Sequence, residues 1–172
     1  MAGALIKIDE QIVSSAVSSV SLTGIDSTYN VFKVVISNVN PSVDDSNLGM
    51  RVNESGSANT SSNYDNTGQF LRSGNAESNT GNSNQSYFGF GSYIGADAGE
   101  TVNGVTYIFK GNDSGEHTSI TTERAQLASS GELTGEQGGG YLTVNSAIDG
   151  VTFFISSGNI ESGTFTLYGL KK

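Results

Sequence analysis

The chain has 172 residues with no cysteine, 23 glycines and a formal net charge of −9, from 17 acidic and 8 basic side chains. That length fits one domain with a real core and is short for two. The missing cysteines exclude a disulfide framework and thiolate metal sites, and the acidic balance argues against nucleic acid, whose phosphates demand a basic footprint.

Hydrophobic residues make up 35% and charged residues only 15%, so Gly, Ser, Asn and Thr fill the remainder. This suits short strands joined by polar turns, not a highly charged disordered chain. The opening MAGALIKIDE lacks the basic flank and long apolar region of a secretory signal, and no apolar run approaches the length of a membrane span. Synthesis and folding in a cytoplasm, without a membrane partner, are therefore expected.

Leu5 to Ile8 alternates, and Ser14 to Leu22 sets Val20 and Leu22 on one side among serines, predicting two short strands or an extended arm over 1–17 followed by a strand. The turn cluster GIDST (24–28) delivers the chain into Tyr29 to Val39, YNVFKVVISNV, the longest strand-forming run. Phe32, Val34 and Ile36 fall on one side of its pleat and Tyr29, Val31, Val35 and Val39 on the other, which predicts a central strand covered on both faces. Asn40 and Pro41 end it, because proline donates nothing to a ladder. After the turn SVDDSN, Leu48 to Val52 alternates as a half-exposed neighbour.

Asn53 to Ser86 is almost entirely Asn, Ser, Gly and Thr. A stretch this polar is expected to form a long loop, or an insertion pinned by a short QFLR strand and a partner, with Tyr64, Phe70, Leu71 and Arg72 as its contact residues. Beyond it, Tyr87 to Ile94, Val105 to Phe109, Tyr141 to Val144, Val151 to Ser156 and Gly163 to Leu170 read as strands. Thr118 to Leu127 is polar enough to be an edge strand, and GEQGGG (135–140) reads as a flexible turn. The sum is an all-β, antiparallel β-sandwich, jelly-roll-like, in a single domain spanning 1–172, with a long polar loop over 53–86.

No residue set makes a convincing site. His117 is the sole histidine, too little for a catalytic constellation or ordinary zinc chemistry. Asp44, Asp45 and Asn47, like Asp97, Glu100, Asp113 and Glu116, lack the ligand register of an EF-hand and read as solvated turn acids. The glycine-rich run lacks the lysine and hydroxyl of a phosphate loop. No catalytic, metal or cofactor residue is assigned, and the chain is not expected to be an enzyme.

Leu22 to Asn53, with its IDSTY turn, long strand and NLGMR strand, together with the closing SGTFTLYGLKK, resembles a group of small virion proteins of tailed phages infecting marine bacteria. The likeness covers about a quarter of the chain, in order. It implies a virion structural protein, most directly a capsid decoration or cement protein that binds the major capsid protein or other virion proteins as a homo-oligomer such as a trimer. Under that reading the arm residues Leu5, Ile6, Ile8, Ile12 and Val13 lie across a neighbour, unless the segment is an ordinary first strand. The alternative is a tail fibre or tail-associated module whose loops contact a cell-surface glycan.

Overall fold

The structure, a computed structural model, describes residues 4–74 and 77–170. The described residues form antiparallel strands and no helix. In chain order they are β1 (Leu5–Val13), β2 (Ser19–Thr23), β3 (Val31–Pro41), β4 (Leu48–Glu54), β5 (Ser57–Ala58), β6 (Tyr64–Arg72), β7 (Ser78–Gln85), β8 (Phe88–Gly89), β9 (Val102–Phe109), β10 (His117–Leu127), β11 (Leu133–Asn145), β12 (Gly150–Ile155) and β13 (Ile160–Leu170). An eight-stranded sheet runs β1-β13-β3-β9-β10-β11-β6-β7, and a smaller sheet runs β2-β12-β4-β5 with β8 also on β4. The chain passes repeatedly from one sheet to the other, which makes the architecture a jelly-roll-like sandwich.

Alternation builds the core. Phe32, Val34 and Ile36 of β3 and Phe165 and Leu167 of β13 face Leu22, Leu48, Met50, Val52, Val151 and Phe153 of the smaller sheet, all nearly or wholly buried. Phe153 packs on Phe165 at 5.2 Å and on Phe90 at 6.0 Å. Each such side chain contributes about 1.5–3 kcal/mol on burial.

The strand expected at Tyr29 to Val39 is β3, central as foreseen, with two differences. Asn38 adopts a left-handed φ of 52°, and the pairing with β9 shifts register between Ile36 and Val39. This bulge turns Val39 inward, where it is fully buried. The second face of β3 is half-exposed rather than covered.

Tyr29 stands outside β3, its ring against Gly169; a Cβ there would lie 2.4 Å from the tyrosine ring. Gly163, at φ +142°, likewise leaves room for Val39. Asp26 Oδ1 accepts the Thr28 N–H at 2.8 Å and fixes the turn ahead of Tyr29. The two ends that carry the sequence resemblance are thus in direct contact.

Several expectations are corrected. The 53–86 stretch is not a loop: β6, longer than QFLR, and β7 form a hairpin that extends the large sheet. Backbone pairing needs no apolar side chain, and Phe70 and Tyr64 supply the anchorage. Of the two readings left open for residues 1–17, the ordinary first strand holds: β1, at the edge of the large sheet, pairs with β13. The GEQGGG run is the middle of β11, not a turn, and β10 is an interior strand between β9 and β11. Tyr87 to Ile94 supplies only the two-residue β8, because the positive φ of Gly91 and Tyr93 breaks the run.

Polar side chains inside the sheet misdirected the reading of β10. Thr122, Arg124 and Gln126 point inward and are buried. The Thr122 and Thr106 hydroxyls meet at 3.3 Å, and Arg124 makes a buried ion pair with Glu136 of β11. Gly104 of β9 makes space for it, since a Cβ there would come within 2.9 Å of the Arg124 Cβ.

Candidate interaction face

Register across the large sheet places one set of side chains away from the core. Val35 of β3, Val105 of β9, Glu123 of β10, Gln137 of β11 and Gln69 of β6 form one row; Lys33, Tyr107, Thr121, Gly139 and Thr67 form the next; Val31, Phe109, Ser119, Tyr141 and Asp65 form a third. Toward the β13 and β1 edge these rows continue into Thr166 and Glu10, Tyr168 and Lys7, and Leu170 and Leu5.

The centre of this face is apolar. Val31, Val35, Val105, Tyr107, Phe109 and Tyr168 are each half-buried among their neighbours, and no described segment covers them. Lys33 Nζ lies 5.5 Å from the centre of the Tyr107 ring, so its charge stands over the belt. At one edge Lys7 Nζ donates to Glu10 Oε1 at 3.0 Å, and Glu10 also accepts from Thr166 Oγ1 at 3.2 Å. Those bonds, the Lys7 one foremost, hold the Glu10 carboxyl below its usual range.

The β11 glycines shape the other half. With no side chain at Gly135 or Gly139, contiguous depressions of about 660, 480 and 400 Å³ run along the face from Val35 past Gln137 and Thr67 to Tyr141. Their walls carry the hydroxyls and amides of Thr67, Gln69, Thr121 and Gln137. His117 meets the Tyr141 ring edge-on at 5.8 Å, a packing contact at the trough's end. The face combines an apolar belt with a shallow polar trough and can bind a complementary surface.

The residues singled out in the sequence distribute unevenly. Leu5 and Ile6 are 47% and 40% exposed, and Ile12 is 70% exposed; Ile8 packs against the core and Val13 is buried. Leu5 adjoins the apolar belt through Leu170, its pairing partner. Leu71 is exposed on the outer face, while Phe70 and Arg72 point to the opposite side of the sheet. Tyr64 is wholly buried, its hydroxyl donating to the Asn59 carbonyl and accepting the Val52 N–H. It is a core residue rather than a contact residue. Sequence reading missed the belt's members on β9 and β13 because each strand alone shows simple alternation; only the register brings them together. The described residues contain no cluster of three or more metal-ligating side chains.

No protein-family model matches the chain, and no curated protein matches it. Among solved structures, it is similar to congerin II liganded with lactose and MES, at 12% identity over 89% of this chain and 99% of that one, with a TM-score of 0.33. It is also similar to toad ovary galectin in complex with thio-digalactose, at 10% identity over 91% and 97% and a TM-score of 0.27. The CBM2 module of the evolved Dit of Lactobacillus casei BL23 phage J-1 aligns at 9% identity over 90% and 69%, with a TM-score of 0.26. Likenesses this distant carry no function to the chain.

Proposed function

We propose that the chain is a virion structural protein of the capsid decoration or cement kind, seating the outer face of its eight-stranded sheet on the head lattice, with the major capsid protein as partner. The observation that carries this reading is the uncovered belt of Val31, Val35, Val105, Tyr107, Phe109 and Tyr168, on a sheet whose other face already holds the core. A contiguous apolar surface left partly open to solvent in this way fits an interaction site. Eight strands about 4.8 Å apart and roughly 20 Å long give a face of about 700 Å², close to the ~800 Å² per partner of a stable interface. The resemblance of residues 22–53 and of the closing segment to phage virion proteins supports the same reading. The chain acts by binding, without catalysis.

The test is location and copy number. Antibody against this chain should label the whole head of intact particles, at a copy number comparable to that of the major capsid protein. Labelling confined to the tail at low copy would favour the glycan-binding alternative, and no labelling would refute both.

A further inference from the structure

On the opposite side of the sheet from the belt, beyond the reach of the smaller sheet, the interior opens into a cleft of about 510 Å³, within the ~300–1,000 Å³ of small-molecule sites. Its lining includes Phe70 and Arg72 of β6, Thr134 of β11, and Asp45, Tyr93 and Glu132 from three loops. Two features of this cleft lack a structural explanation.

One is unused hydrogen-bonding capacity. Thr134 is 6% exposed, and its Oγ1 has no partner. Arg72 Nε, in the residue paired with Thr134 across the sheet, has none either, although the Arg72 guanidinium lies 3.7 Å from Glu132. Leaving such a group unmatched costs about 1–3 kcal/mol.

The other is backbone strain. Tyr93 sits at φ 61° and Asp45 at φ 57°, and the left-handed region is unfavourable for a bulky aromatic residue. Tyr93 is held there by its N–H donating to Asn47 Oδ1 and its carbonyl accepting the Ser129 N–H, both at 3.2 Å. Its ring nevertheless gains little packing, being 58% exposed. The strained backbone thus holds an exposed ring in the lining of the cleft.

We infer that this cleft binds a neutral saccharide unit, with a sugar ring against Tyr93 and its hydroxyls on Arg72, Asp45, Glu132 and Thr134. The chemistry selects that class. Aromatic surface suits the apolar face of a pyranose, and carboxylates beside a guanidinium accept and donate to neighbouring hydroxyls. Two acids against one base disfavour an anion. The inference is independent of the outer-face seating, because the cleft stays open when that face is covered.

The test is an NMR titration of the ¹⁵N-labelled full chain with maltose, cellobiose and lactose, alongside choline and glucuronate as charged probes, each at about 10 mM to exceed a dissociation constant near 1 mM. At least one disaccharide should shift the amides of Tyr93, Ser129 and Thr134 saturably. Tyr93→Gly and Thr134→Val should each weaken that binding about tenfold or more without lowering the unfolding midpoint, since the first relieves the left-handed backbone and the second removes an unpaired hydroxyl. The inference is overturned by the absence of saturable shifts with all three sugars, by shifts only with choline or glucuronate, or by unchanged affinity in both variants.

Discussion

Tyr64 shows how one polar atom is accommodated in an apolar interior. Its ring meets Phe88 edge-on at 4.9 Å, and burial pushes its phenol up to about 12 from the ordinary 10.0. A folded-state pKa above the unfolded value means that the fold favours the neutral phenol. The stabilisation is complete below pH 10 and is lost as pH rises toward 12, by up to about 3 kcal/mol. Tyr64→Phe should cost about 1–2 kcal/mol at neutral pH and remove that part of the alkaline loss, as measured by urea unfolding of both forms from pH 7 to 12.

The Arg124–Glu136 pair is the charged counterpart. Burial lowers the Arg124 guanidinium to about 9, which still leaves it charged at neutral pH beside the Glu136 carboxylate. Arg124→Ala strands a buried carboxylate and should destabilise the fold by about 3–5 kcal/mol, whereas Arg124→Met combined with Glu136→Leu should cost less than the single change. Equal losses in equilibrium unfolding would mean that the pair does not act as a unit. Neither residue was legible beforehand: an arginine in an alternating polar run looks solvent-facing, and only its partner on the next strand and the empty space at Gly104 make it interior.

At the scale of elements, β11 joins the hairpin to the body of the sheet. Its glycines allow the backbones to approach, and a Cβ at Gly138 would lie 2.4 Å from the Thr67 carbonyl oxygen and 3.0 Å from the Gly68 Cα. These are backbone atoms that cannot swing aside, so Gly138→Ala should force β6 from β11 at a cost of about 1–3 kcal/mol. Hydrogen exchange would register it as faster exchange of β6 amides with those of β3 unchanged; uniform acceleration would contradict that local account. Strands with apolar alternation, such as β3, β9 and β12, could be read from the sequence. Only the QFLR end of β6 and the Tyr141–Val144 end of β11 were legible; β7 and the rest of β6 and β11 were not, because Asn, Ser and Gly carry no period-2 signal when a strand is held by its ladder and a few anchors such as Phe70.

For the whole molecule, the sandwich class followed from strand spacing and the absence of helical periodicity, and the structure bears it out. The matching ends also have a physical basis, since Tyr29 of the IDSTY turn lies on Gly169 of LYGL and Val39 on Gly163. The outer face was half legible: the apolar second side of β3 was visible, and the assumption that something covers it was the error. That uncovered side is the centre of the proposed interface, and hydroxyl-radical footprinting of intact particles against the free chain, read at Tyr107, Phe109 and Tyr168, tests it most directly. The account predicts that these three side chains are protected in the particle while Tyr93 stays reactive. Equal reactivity of the three in both states would contradict it.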